Sequence, residues 1–173
     1  DLIAGGLFTS AGGVPANRIA RWSGEAWSAV GSGMNDAVYA LAALPNGDIV
    51  AGGAFTAAGG APASYVARFD AAGSGWMPMG PGLNYNVRSV SVSPDGTIYA
   101  AGDFRANGES STFCHVARWT GEVWYGIGFS EGLSADNVLV LPNGDVVAGG
   151  PGVQRWDGAS WEQLGSYFGT GCS

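Results

Sequence analysis

Val50-Ala51-Gly52-Gly53-Ala54-Phe55 decides the reading of this chain, because the pattern does not occur only once. It stands upstream as Ile3-Ala4-Gly5-Gly6-Leu7-Phe8 and downstream as Tyr99-Ala100-Ala101-Gly102-Asp103-Phe104 and Val147-Ala148-Gly149-Gly150, at spacings of 47, 49 and 48 residues. A period of roughly 20 to 50 residues marks an array in which each unit buries its apolar face against the next. Working outward, each copy is followed by a small or polar residue, arginine and an aromatic: Ala20-Arg21-Trp22, Ala67-Arg68-Phe69, Ala117-Arg118-Trp119 and Gln154-Arg155-Trp156. A turn then leads to a tryptophan with glycine four positions on: Trp27 and Gly31, Trp76 and Gly80, Trp124 and Gly128, Trp161 and Gly165.

Between copies lies an apolar stretch that ends in a turn signal. Val38 to Leu44 precedes Pro45-Asn46-Gly47-Asp48, Val87 to Ser93 precedes Pro94-Asp95-Gly96-Thr97, and Ala135 to Leu141 precedes Pro142-Asn143-Gly144-Asp145. Asn-Gly and Asp-Gly predict two-residue type I′ hairpins, which need positive φ at both central residues. Each repeat therefore reads as four antiparallel strands: the apolar strand, the strand entering Gly-Gly, the Ala-Arg-aromatic strand, and the strand opening with tryptophan.

Four short strands per repeat of this length are the pattern of a β-propeller blade. The fold class is all-β, a propeller of about four blades, with residues 38–80, 87–128 and 135–165 as complete blades, residues 1–31 as an incomplete one and residues 166–173 as a C-terminal tail. Asp1 aligns with Asp48, so the first blade lacks the apolar strand and the count is fifteen strands. Three suppliers would complete it: the chain's own tail, a second copy in a homo-oligomer, or neighbouring blades of a larger chain. Tyr167-Phe168-Gly169-Thr170-Gly171 is glycine-rich and unlike Val38 to Leu44, which favours the last two. A start at Asp1, without methionine or signal peptide, is what a processed or excised fragment would show.

Bulk composition agrees and excludes several function classes. Hydrophobic residues make up 46% and charged ones 12%, and 31 glycines with 8 prolines suit short strands and tight turns. All seven basic residues are arginine and the net charge is -7, so a nucleic-acid backbone would be repelled and lysine chemistry is ruled out. No apolar run is long enough to predict a membrane span. Cys114 and Cys172 match no metal spacing, and they form either a disulfide, as in a secreted protein, or two free thiols.

A hydrophobic strand, a Gly-Gly pair, an aromatic, a short turn and a tryptophan together resemble the kelch motif, most closely at Gly52-Gly53, Phe69 and Trp76. Over nearly its whole length the chain is similar to repeats of large secreted or cell-surface bacterial propeller proteins and of fungal cortical polarity markers. The resemblance implies architecture and an extracellular or cell-surface location. It implies no single activity, since kelch-like propellers include oxidases, adaptors and surface proteins.

Candidate sites are few. His115 is the one histidine; it occupies the position of Arg18 and Tyr65 in other copies, which predicts a tolerant, exposed place with no partner for general-base catalysis. Asp48 and Asp145 follow Asn-Gly turns, where hairpin chemistry accounts for them. Arg21, Arg68, Arg118 and Arg155 share one repeat position, and tying strands or blades to acids explains them better than an anion-binding ring does. Asn84, Tyr85 and Asn86 are the one cluster of aromatic and amides suited to a glycan or protein ligand. The expectation is a non-enzymatic structural, self-assembling or protein-interaction module without cofactor or metal. A lectin-like propeller is the alternative, and a glycan-active hydrolase or oxidase a weaker one.

Overall fold

The computed structural model describes residues 1–73, 75–105, 115–128 and 134–165. The described residues contain strands and no helix. Four antiparallel sheets follow one another along the chain. The first has three strands, β1 (Leu2–Gly5), β4 (Ile19–Trp22) and β5 (Trp27–Ala29), in that order. The second runs β6 (Val38–Ala43), β7 (Ile49–Gly53), β10 (Val66–Asp70) and β11 (Gly75–Pro78); the third runs β12 (Val87–Val92), β13 (Ile98–Gly102), β14 (Val116–Trp119) and β15 (Trp124–Gly126). The fourth runs β16 (Asn137–Val140), β17 (Val146–Gly149), β18 (Val153–Trp156) and β19 (Trp161–Gln163). Fifteen strands in four blades, the first one strand short, is the architecture the repeat implied.

Period-2 alternation gives each sheet two apolar faces. In the second sheet Ala51, Ala67 and Trp76 face the first sheet, where they join Ile19, Ile3 and Val30. Val50 and Val66 face the third, against Ala100, Ala117 and Trp124. Tyr99, Ala101 and Val116 then meet Val138, Val146 and Ala148 of the fourth. The core is thus a series of layers between sheets rather than one central cluster. Inner strands β6, β12 and β16 pack on one another in turn, and Ser89 and Ser91 Oγ accept from the backbone N–H of Val138 (3.1 Å) and Val140 (3.0 Å) to join the last two.

The hairpin between the first and second strands is not the type I′ turn its Asn-Gly suggested. Gly47 N–H donates to Leu44 C=O at 2.9 Å, Leu44 N–H to Asp48 C=O at 2.8 Å, and only the glycine has positive φ (90°). Pro45 sits second in a type I turn and Gly47 forms the bulge that follows it, a choice proline's fixed φ favours. Ser93 to Thr97 and Leu141 to Asp145 repeat the arrangement.

The segments after the first two Gly-Gly pairs fold into small hairpins of their own. Ser10–Ala11 pairs with Val14–Pro15, labelled β2 and β3, and Ala57–Ala58 pairs with Ala61–Pro62, β8 and β9. Gly12-Gly13 and Gly59-Gly60, all at positive φ, make their turns. Each small hairpin lies over the tryptophan of its own blade, Trp27 or Trp76.

Candidate functional site

Three places gather the polar or unpartnered groups: the two ends of the central axis and the edge of the first sheet. At one end of the axis the three inner strands finish side by side. Ala43–Pro45, Val92–Pro94 and Val140–Pro142 line a cleft of about 450 Å³ that contains no titratable side chain. The one hydroxyl in its lining, Ser93 Oγ, donates to the Asp95 carboxylate of its own turn.

The repeat arginines stand near that end, on β4, β10, β14 and β18, the next-to-last strand of each sheet. Arg68 Nε donates to Asp48 Oδ2 at 2.7 Å, Arg21 pairs with Asp1, and Arg155 Nε lies 3.1 Å from Asp145 Oδ2. Each acid opens the strand next to its arginine, so the pair ties β1 to β4, β7 to β10 and β17 to β18. Asp48 is 4% exposed and also accepts from Ala71 N–H (3.0 Å) and Asn46 Nδ2 (2.9 Å). The Ala71 bond, with Arg68 and Asn46 against the opposing effect of burial, holds its carboxyl below the usual carboxylate range. In the third sheet the acid's position is Thr97, and Arg118 is exposed with no ion pair among the described residues. The constant separation Asp1 to Arg21 and Asp48 to Arg68 was the signal in the sequence for this pairing.

At the opposite end Tyr39 and Arg88 are the extra residues of bulges at the start of β6 and β12, and Asp136 precedes β16 at the same repeat position. A bulge aims a side chain out of the ladder. Arg88 Nε donates to Asp103 Oδ1 at 2.8 Å and lies 3.5 Å from Asp136 Oδ1, a pairing that raises the guanidinium's pKa further. Of the cluster named from sequence, Asn84 Oδ1 accepts from Arg105 N–H (2.7 Å) and Asn86 Nδ2 donates to Asp103 Oδ2 (3.4 Å). Tyr85 stacks on Tyr65 with ring centroids 6.1 Å apart and is exposed. The two amides thus brace loops, while Tyr85 presents a ring face to solvent. Sequence reasoning missed Tyr39, Arg88 and Asp136, since they differ from copy to copy and carry no repeat signal.

His115 is half-buried rather than exposed, with Nδ1 3.1 Å from Gly102 O. Its counterparts Arg18 and Tyr65 hold left-handed backbone, φ 64° and 67°. Among the described residues no group of His, Cys, Asp and Glu could hold a metal ion. Cys114 and Cys172 lie outside the described residues, as does most of the loop from Arg105 to Phe113.

The first sheet's edge is the third place. β7, β13 and β17 each lie between two strands, but among the described residues β1 pairs only with β4, and no strand lies on its other edge. Its burial shows the difference: β13 is buried throughout, whereas Leu2 and Gly5 of β1 are exposed. A cleft of about 360 Å³, lined by Asp1, Ile3, Arg21 and Phe69 among others, opens between the first two sheets.

Comparisons with known proteins support the fold. The profile of a family described as a domain of unknown function (DUF5122) β-propeller matches residues 2–21 and 44–75. No curated protein sequence matches the chain. Among solved structures, a gluconolactonase from Xanthomonas campestris is similar at 19% identity and TM-score 0.54, over 83% of this chain and 53% of that one. YCF48 bound to a D1 peptide is similar at 17% identity and TM-score 0.52, over 84% of this chain and 46% of that one. The chain thus spans about half the length of the propellers it resembles. Among the described residues no helix is long and apolar enough to cross a membrane.

Proposed function

We propose that this protein is a non-enzymatic interaction module, working outside the cell or on its surface, whose first sheet takes a strand from another polypeptide. The free edge of β1 carries the reading. Unpaired backbone groups along a strand edge are a template for strand addition, in which main-chain hydrogen bonds give affinity and side-chain pockets give specificity. β1 has neither lysine nor proline to blunt that edge. The guest is specified by the three strands that hold the place elsewhere: four to six residues, largely apolar, antiparallel to β1. That YCF48, of similar fold, is found with a peptide bound supports protein binding as a use of such a scaffold. The location rests on the resemblance to secreted and surface propellers.

The acids and the histidine support a non-enzymatic reading. Asp1, Asp48 and Asp145 are tied to arginines, Asp103 to Arg88, and His115 Nδ1 faces a backbone carbonyl. A lectin-like reading has one observation behind it, the exposed ring of Tyr85 on Tyr65.

The test is a peptide with the sequence of residues 38–47, titrated onto the protein with hydrogen exchange as the readout. Slowed exchange confined to residues 2–5 is the expected result. Binding without protection there, or no binding, overturns the strand-addition reading.

A further inference from the structure

One set of contacts builds the boundaries between successive sheets. The Phe69–Trp76 pair of the second sheet lies against Gly31 of the first, and Trp76 Nε1 donates to Val30 C=O at 2.9 Å. Trp119 of the third sheet lies against Gly80 of the second. Trp161 of the fourth lies against Gly128 of the third and donates to Ile127 C=O at 2.9 Å. An aromatic face on one sheet thus seats on the apolar-glycine dipeptide that ends the sheet before it.

The two outermost faces hold the unmatched halves of a further such boundary. On the first sheet Trp22 and Trp27 form the same tilted pair, centroids 5.5 Å apart, beside Leu2, which is 58% exposed. No carbonyl receives the Trp27 indole N–H among the described residues. On the fourth sheet Leu164-Gly165 stands where Val30-Gly31 and Ile127-Gly128 stand in sheets that are covered, and Leu164 is 40% exposed. Val147 and Val153 are only half-buried there, although their counterparts Val50 and Val66 are fully buried, and Leu139 beside them is 57% exposed.

We propose that a second copy of this chain covers these faces: the fourth sheet of one copy seats on the first sheet of the next, head to tail, with Trp27 donating to the Leu164 carbonyl. The same chain carries both halves of the interface, and the interface continues the one that already joins its own sheets. Two copies would also supply the length of one propeller of the kind the chain resembles. A head-to-tail contact of this kind closes into a ring or extends, according to its rotation. The proposal rests on the reading of the protein as an interaction module, but it uses a sheet face rather than the β1 edge.

Light scattering after size exclusion, at concentrations up to about 100 μM so that micromolar contacts are populated, tests it. The wild type is expected to associate in whole multiples of the chain. Trp27→Ala and Leu139→Asp should each weaken association at least tenfold, and an equimolar mixture should form a 1:1 pair that grows no further, because each variant keeps one intact half. Leu139 is exposed, so its variant remains informative should Trp27→Ala fail to fold. A wild type that stays monomeric, or variants that associate like the wild type, overturn the proposal. The peptide of residues 38–47, titrated onto monomeric L139D, separates the two readings: protection of residues 2–5 would leave the strand-addition reading standing when copy pairing fails.

Discussion

Asp48, at the head of β7, accepts from Arg68 Nε on β10 at 2.7 Å while its other oxygen takes the N–H of Ala71 at 3.0 Å. One buried carboxylate thereby fixes a hairpin, a strand and the turn beyond it. Asp1 with Arg21 and Asp145 with Arg155 repeat the pairing in the first and fourth sheets.

Replacing this acid has a pH signature. Asp48 is held below its ordinary pKa in the folded protein, so its contribution is fully present above the unfolded value of about 3.9 and is lost as pH falls through the folded value. Asp48→Asn should cost about 1–3 kcal/mol at neutral pH, the range for losing a charged, hydrogen-bonded group. Urea melts of both proteins should converge as pH drops below about 4, and a gap that persists unchanged at low pH would show that the carboxylate's charge is not the cause.

The third sheet supplies the complementary experiment. Thr97 replaces the acid there, and Arg118 is exposed without an ion pair among the described residues. Thr97→Asp should restore the clamp and raise stability by about 0.2–1 kcal/mol, as for pairs near the surface. In about 1 M salt, where screening acts over roughly 3 Å, the gain should vanish. No gain in thermal melts at low salt would mean that the two side chains do not meet.

The repeat made most of the architecture legible before any coordinates. Gly-Gly, the arginine-aromatic pair and the tryptophan recur in register, and the alignment of Asp1 with Asp48 was enough to expect three strands in the first sheet. What escaped had local causes. The hairpins at Ser10–Pro15 and Ala57–Pro62 have two-residue strands, too short for a period, although Gly12-Gly13 and Gly59-Gly60 were a turn signal. The type I turn with a bulge was hidden because Asn-Gly serves both turn types and Pro45 decided between them. Tyr39, Arg88 and Asp136 became visible only when the sheets brought one repeat position to one end of the axis.

The missing inner strand should also appear in glycine substitutions. A Cβ on Gly53 would sit 2.0 Å from Ala37 O, one on Gly102 2.2 Å from Asn86 O, and one on Gly150 2.0 Å from Ser134 O. In the first sheet Gly6 holds that position, with its nearest neighbour the ring of Phe8 at 3.3 Å. Gly53→Ala should cost about 1–3 kcal/mol or more from overpacking, while Gly6→Ala should stay within about 1 kcal/mol. Equal losses in chemical denaturation would indicate that something covers β1 as β6 covers β7.

The tryptophans at sheet boundaries should separate into two kinds. Trp76 is 8% exposed and its N–H is bonded to Val30 C=O, whereas Trp124 is 3% exposed and its Nε1 has no hydrogen-bond partner among the described residues. Both rings fill the same kind of layer, so Trp76→Ala and Trp124→Ala should each cost about 3–5 kcal/mol. Phenylalanine keeps most of the apolar contact and removes the N–H. At position 76 that removes the shorter of two bonds to the Val30 carbonyl, which keeps Gly33 N–H at 3.3 Å, for a loss of about 1 kcal/mol beyond the change in ring size. At position 124 it removes a donor whose desolvation nothing offsets, and the smaller ring's lost contact is partly compensated. Trp76→Phe should therefore be the more destabilising of the two in urea melts, and the reverse order would mean that Trp124 finds a partner in solution.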